Sequence, residues 1–532
     1  EIGAYKLESI TMFLSLLPCL ICTQVLPGAH AFNIQLIKQG GTLRLPPKEN
    51  VPRSFSSSPS SLWLASSSSS TSSSPPTPLS MSIDELGPKI NGTGRALTTW
   101  DCYKVGLDPI YFFNTENHEN DQVWDHTVHE LIERSSFGVQ DTNTYDDNDL
   151  SNSIDAGGKN KREQIIDRYM PVKRRQIHSQ EKGKGMGVKA LNALSDLYPN
   201  SLGIEHSIAS LVNIQRSSDG TVKLLLKLNN RATRNTHSAN DDGNDVYEQP
   251  EQHYFIESVI IPWYDRSNPT STLCVSTQVG CAQGCTFCAT GKMGLLKRLS
   301  SDEILIQLYY AKKICRISND SSAWLPDIDN IVFMGMGDSG DNAEAVIEAC
   351  SIMADRQCFS IPQNKITIST VGPNPGVFQT LGKADAVLAW SVHAVEDTLR
   401  KKLVPTTKYK MVDLKEGLIK ALMGRSRRMR ALMLEVTLIE DVNDGIKEAE
   451  EMVDFCLEMK ERVKGMKLVV NLIPFNDIGH RSYRRSPDSH VAEFQRVLVE
   501  NNLKTYVRTT RGDDENAACG QLATKKLKGK QY

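Results

Sequence analysis

The chain has 532 residues, with 61 Lys and Arg against 63 Asp and Glu for a formal net charge of −2, and 12 Cys. That length suits two or three domains with a sizeable core, and the near-balanced charge singles out no partner. Cysteines this sparse exclude a disulfide scaffold, and their clustering points to metal binding and thiol chemistry in a reducing compartment.

Residue 1 is Glu, and Met12 opens a better start. Met12–Cys22 is an apolar run of signal-peptide length, too short to span a membrane, and Ala29-x-Ala31 before Phe32 fits the small-residue cleavage rule. From Phe32 to residue 80 the chain is rich in Ser and Pro, with scattered Lys and Arg and Glu49 as its only acid. The expected order is therefore a signal peptide over 1–31 and a transit peptide over 32–80. Together they resemble the bipartite presequence of algae with secondary plastids, which places the protein in the plastid. A secretory signal with a serine-rich stalk, or a cytoplasmic protein, is the alternative.

Residues 81–163 are polar and irregular and read as a disordered linker, acidic over Asp141–Asp155, with helical spacing only at Val123–Arg134. Residues 164–265 then suggest a small α+β accessory domain. Its expected elements are a helix over Val188–Tyr198 and strands over Ile204–Val212, Val222–Leu228 and Tyr254–Ile261. Ser217–Gly220 forms a hairpin turn, and Asn229–Gln249 a polar insertion.

From 266 to 510 strands alternate with amphipathic helices, which predicts an α/β core with a parallel sheet. The strands are Leu273–Thr277, Asn330–Met334, Ile366–Thr370, Ala386–Ser391, Ala431–Leu438, Lys467–Ile473 and Thr505–Val507, and Ser301–Ile314 is a capped helix. Polar residues gather where the strands end: Gly335-Met336-Gly337-Asp338, Ser369-Thr370, Ser391-Val392-His393 and Asn471 to Asn476. Ligands bind at the carboxyl ends of such strands. Lys and Arg outnumber Asp and Glu by roughly eight from Arg400 onward, including Arg425–Arg430, Arg484-Arg485 and the Lys525–Lys530 tail. Such an excess suits a polyanion or a merely solvated face.

The loop after the first of these strands is Cys281-Ala282-Gln283-Gly284-Cys285-Thr286-Phe287-Cys288. Three thiolates at C-x3-C-x2-C spacing can hold three corners of a 4Fe-4S cluster and leave the fourth iron open. A zinc site completed by Cys274 or Cys315 is the alternative this spacing leaves.

These residues resemble the radical S-adenosylmethionine superfamily and, within it, the dual-specificity methyltransferases acting on C2 of adenine in 23S ribosomal RNA and some transfer RNAs. The resemblance runs from about Ser217 to Ala523. It covers Glu257–Pro262, Leu273–Cys288, Phe333–Gly337, Ser391–Ala394, Asp441–Gly445, Asn471–Pro474, Arg511–Asp514 and Ala517–Leu522. It implies a partial (β/α)6 TIM-type barrel behind the accessory domain, with a C-terminal segment over 511–532. Cys281, Cys285 and Cys288 would hold the cluster, and Gly337, Asp338, Ser369, Ser391, Val392, His393 and Asn476 would contact S-adenosyl-L-methionine. Cys519 would carry a methyl group, Cys274 would resolve it, and Glu257 would be the acid/base. Two S-adenosyl-L-methionine molecules would be used per turnover. One methylates Cys519; the other, cleaved reductively at the cluster, yields the radical that activates that methyl group for addition to C2. Cys274 then forms a transient disulfide with Cys519 and releases the base. Ribosomal RNA, with transfer RNA beside it, and an electron donor such as ferredoxin or flavodoxin are the implied partners of a monomer with no stable membrane association.

Three stretches depart from the family pattern. Gly337-Asp338-Ser339 replaces Gly-Glu-Pro, so the carboxylate reaches less far and a loop without its proline should loosen. Ala394-Val395-Glu396-Asp397 replaces Ala-Pro-Asn-Asp, and Asp477-Ile478-Gly479-His480 replaces a proline-rich stretch. A radical enzyme with another substrate and a non-catalytic RNA-binding relative are the competing readings. The Cys274 and Cys519 pair argues against the first, and the three cluster cysteines against the second.

Overall fold

The computed structural model of the chain describes residues 75–113, 123–135, 164, 167–169, 186–199, 201–229, 253–319 and 324–522. The expected signal peptide, most of the transit peptide, the acidic run, the polar insertion and the basic tail lie outside them.

Ten strands form one sheet. Strands β1 (Ala209–Arg216), β2 (Val222–Leu228) and β3 (Tyr254–Trp263) are antiparallel, and β3 pairs antiparallel with β4 (Thr270–Cys274). Two short strands, β5 (Gln278–Gly280) and β6 (Leu295–Arg298), form a separate hairpin. From β4 onward every pairing in the large sheet is parallel, through β7 (Ile328–Phe333), β8 (Ile366–Thr370), β9 (Val387–Ser391), β10 (Ala431–Leu438), β11 (Lys467–Pro474) and β12 (Lys504–Val507). Each parallel strand lies beside its predecessor in that sheet, so all crossovers wind one way, as in a barrel and unlike a doubly wound sheet. The end strands β1 and β12 do not pair with each other, which leaves the barrel partial. The α/β partial barrel is therefore the fold. The accessory strands extend the barrel sheet itself.

Strand β10 shows why the core holds. All eight of its residues are buried, as expected of a parallel strand covered on both faces. The helix Ser301–Ser318 is buried along its whole length. Ser300 and Glu303 close a capping box at its start: Ser300 Oγ accepts from Glu303 N at 3.2 Å, and Glu303 Oε2 accepts from Ser300 N at 2.9 Å.

Two expectations need correction. The disordered linker from residue 81 gives way to helices Ile83–Lys89, Thr93–Tyr103 and Val123–Ser135. Average polarity concealed them, although Ile83, Leu86, Trp100 and Tyr103 pack inward. Just before that linker, Thr77 N and Oγ1 donate to the Asp302 carboxylate at 3.0 and 2.6 Å. The strand expected over Ile204–Val212 is a helical turn, Ile204–Ser207, followed by β1. Asp108 Oδ2 accepts from Ile204 N at 2.8 Å and caps that turn.

Candidate active site

Strand β4 ends at Cys274 because Gln307 captures the backbone that follows. Gln307 Oε1 accepts from Ser276 N and its Nε2 donates to Ser276 O, both at 2.8 Å. The chain then enters the small hairpin of β5 and β6, and the cysteine loop lies between its arms. Gly280, at φ +74°, starts the loop; a Cβ there would stand 1.8 Å from Gly294 O. Cys281 N donates to Gly294 O at 2.9 Å, and Gln283 N donates to Cys281 Sγ at 3.4 Å.

Cys281, Cys285 and Cys288 line one cleft of about 880 Å3 together with Gly337, Asp338, Ser369, Ser391, His393, Glu435 and Asn476. Burial pushes the Cys281 and Cys285 thiols up, and the neighbouring thiols and Asp338 add to it. The Cys281 and Cys285 thiols ionise together only around a cation. Among the described residues, no three His, Cys, Asp or Glu side chains converge on a point that a single metal ion could occupy. Cys315 is buried elsewhere, its Sγ donating to Pro326 O at 3.3 Å. With Cys315 engaged elsewhere and Cys274 in the lining of another cavity, the three cleft thiols fit a cluster with one open corner better than a closed four-ligand zinc site.

The residues expected to contact S-adenosyl-L-methionine, all but Val392, line the same cleft. Ser369 and Ser391 Oγ lie 3.1 Å apart, and both donate to Glu435 Oε2, at 3.2 and 3.3 Å. Gly337 takes φ +100°, and a Cβ there would meet Gln278 Cβ at 2.6 Å. Asp338 accepts from Thr370 Oγ1 and Val371 N at 2.7 Å and from Gly340 N at 2.8 Å. These bonds pin the loop that the missing proline was expected to loosen. Burial still pushes the Asp338 carboxyl up to about 6. His393, at φ +54°, accepts from Thr437 N through Nδ1 at 3.2 Å, and burial pushes its imidazole down to about 3, so the ring is neutral. Val392 is fully buried and does not line the cleft; its N–H donates to Glu435 O at 3.0 Å.

A second cavity, of about 750 Å3, opens on the other side of Cys519. It is lined by Cys274, Val259, Ile261, Trp263, Arg508, Arg511 and the Ala517–Cys519 segment. Cys519 and Asn476 line both cavities. Asn476 Nδ2 donates to Cys519 O at 2.9 Å, and Ala289 N, next to Cys288, donates to Gly520 O at 2.8 Å. Burial raises the Cys274 thiol to about 12, and the neighbouring Cys519 adds to the shift. Cys519 is open to solvent but walled closely enough that its thiol rises to about 11, opposed by the Arg508 guanidinium.

Glu257 lies in neither cavity lining. It stands on β3 two residues before Val259, hence on the same face, with Lys223 Nζ at 3.8 Å. Two residues escaped the sequence reading. Glu435, in the floor of the first cleft, has Arg508 Nη1 of the second cavity 3.6 Å away. The signal for Glu435 was a lone acid inside an apolar strand, an arrangement that costs free energy without a partner.

A sequentially wound partial barrel with three cysteines in one cleft after its first parallel strand defines a radical S-adenosylmethionine enzyme. No family model matches the chain. The dual-specificity RNA methyltransferase RlmN of Francisella tularensis subsp. mediasiatica (strain FSC147) is 33% identical over 371 residues, 68% of this chain and 90% of the relative. That of Vesicomyosocius okutanii subsp. Calyptogena okutanii (strain HA) is 36% identical over 285 residues, 52% of this chain and 75% of the relative. A radical SAM methyltransferase from Sphaerobacter thermophilus shares the fold, with a TM-score of 0.53 at 23% identity over 84% of this chain and 99% of that one. The chain belongs to the dual-specificity RNA methyltransferase family. Membership implies an iron–sulfur cluster and S-adenosyl-L-methionine. Among the described residues, no helix is long and apolar enough to cross a membrane.

Proposed function

We propose that this chain methylates C2 of adenine in 23S-type ribosomal RNA, with transfer RNA as a second substrate, by way of a methyl group carried on Cys519. The observation that carries this reading is the position of Cys519 in the wall common to both cavities. On one side it meets the cluster cysteines and the cofactor wall; on the other it meets Cys274 and room for a base. When bound, the cluster and two S-adenosyl-L-methionine molecules supply the methyl group and the one-electron cleavage that makes a carbon radical. Cys519 must lose its proton to accept a methyl group at sulfur, and Arg508 is the cation that opposes burial there. Once the carbon has joined the base, Cys274 as thiolate attacks the Cys519 sulfur. The S–S bond forms as the S–C bond breaks, its electron pair stays with the carbon, a proton completes the methyl group, and the methylated base leaves. Glu257 serves as proton exchanger, reaching the base cavity when its ion pair with Lys223 opens. A donor such as ferredoxin or flavodoxin would supply electrons to a monomeric enzyme.

Incubation of the anaerobically reconstituted chain with ribosomal RNA and S-adenosyl-L-methionine should give 2-methyladenosine by mass spectrometry, and Cys519→Ala should give none. Product from Cys519→Ala at the wild-type level would sink the carrier role. The plastid location belongs to the same reading. Residues 1–81 fused to a fluorescent protein should accumulate in the plastid of a diatom, and export of the fusion to the medium would refute it.

A further inference from the structure

The loop that departs from the family pattern, Asp477-Ile478-Gly479-His480, leads into Arg481, Arg484 and Arg485. All three arginines are exposed, and they surround a third cavity that His480 and Tyr483 also line. Among the described residues none of them forms an ion pair; Arg485 Nη1 donates to Thr510 Oγ1 at 2.9 Å. The two carboxylates beside the cavity are engaged locally. Asp477 accepts from Gly479 N at 2.8 Å and Asp513 from Gln521 Nε2 at 2.6 Å. Three cations within five residues repel one another unless an anion joins them.

The backbone beneath them is fixed in advance. His480 Nδ1 accepts from Tyr483 N at 2.8 Å and Ser482 N at 3.1 Å, and its ring stacks on Tyr483 at 4.0 Å. Glu440 N donates to Arg484 O at 3.1 Å, and Tyr483 Oη lies 3.1 Å from Thr286 Oγ1 of the cysteine loop. Asn476 lines this cavity and both cavities of the active site. The cations therefore begin one side chain away from Cys519.

We propose that Arg481, Arg484 and Arg485 clamp the backbone phosphates that flank the target adenine while its base is turned out toward Cys274 and Cys519. The clamp rests on the reading of the chain as an RNA methyltransferase. Guanidinium forks match phosphate oxygens two at a time, and a base extracted from its stack needs its neighbouring phosphates held. An anionic membrane fits less well, because residues 475–486 expose no large apolar side chain to insert.

The test is the salt dependence of binding. The full chain and a triple variant, Arg481→Gln, Arg484→Gln, Arg485→Gln, are titrated against a labelled stem-loop of ribosomal RNA with adenine in its loop, between about 50 and 200 mM salt. The slope of log Kd against log salt should become shallower by about 2 to 3 in the triple variant. A triple Arg→Lys variant should recover most of that slope. Unchanged slope and affinity in the Gln variant, or no recovery with Lys, would overturn the clamp. Equal losses for polyglutamate or anionic vesicles would overturn its assignment to RNA. If the wild type forms 2-methyladenosine while the Gln variant binds RNA as before, the clamp alone falls. If the wild type neither binds nor methylates RNA, the functional reading falls with it.

Discussion

Glu435 stands alone as a charge in a strand whose other residues are apolar apart from Thr437. Burial raises its carboxyl, and Ser369, Ser391 and Arg508 are what keep it in place. It ties Ser369 and Ser391 to the cation beside Cys519. Glu435→Ala would strip two serines of an acceptor and leave Arg508, whose side chain is 16% exposed, without its counterion. Breaking a buried pair in this way costs about 3–5 kcal/mol. Urea unfolding of the chain without its cluster should show that loss, and Glu435→Gln, which keeps an acceptor for the serines, should lose less. An unchanged midpoint for Glu435→Ala would mean that Arg508 turns out to water and that the pair organises nothing.

At the scale of elements, the Cys519 segment is held by parts of the chain far from it in sequence. Asp514 accepts from Ser218 N at 2.9 Å and from Ser217 Oγ, and Asp219 Oδ2 accepts from Gly512 N at 3.0 Å, all at the β1–β2 turn. Lys223 Nζ donates to Glu515 O, and Thr290 Oγ1, beyond the cysteine loop, donates to Leu522 O. The accessory hairpin thus helps to set Cys519 between the two cavities. The limits of β2, β8 and β10 were legible in the sequence because apolar runs between polar breaks are local signals. So was the rim of polar residues, since each lies at a strand end. The tethers were not, because they are side-chain bonds, most of them to backbone, across 232 to 297 positions, and periodicity carries no trace of them. Nor did the pattern show that Asp338 would secure its own loop, because Thr370 and Val371 are brought to it by β8.

At the scale of the molecule, the N-terminal helices complete the core. The helix Ser301–Ser318 carries Lys313 and Arg316 on a face that would be open without them. Asp125, in the helix Val123–Ser135, accepts from Arg316 Nη1 at 2.7 Å and Nη2 at 3.0 Å and has Lys313 Nζ at 3.3 Å. Burial works against the Asp125 charge, but Arg316 and Lys313 overcome it and hold the carboxyl below its ordinary value of 3.8. The sign follows from linkage: the stability this carboxylate contributes is present above that value and is lost as pH falls through the lower native one. Asp125→Ala would leave Lys313 with Glu205 at 2.7 Å and Arg316 facing the Val105 carbonyl at 2.8 Å, both cations nearly buried. A loss of about 3–5 kcal/mol is expected in urea at neutral pH, shrinking in acid as the wild-type carboxylate protonates. Asp125→Asn should fall between the two, since the amide oxygen still accepts one guanidinium bond. If Asp125→Ala unfolds at the wild-type midpoint at every pH, the helix Val123–Ser135 does not dock on Ser301–Ser318 in solution.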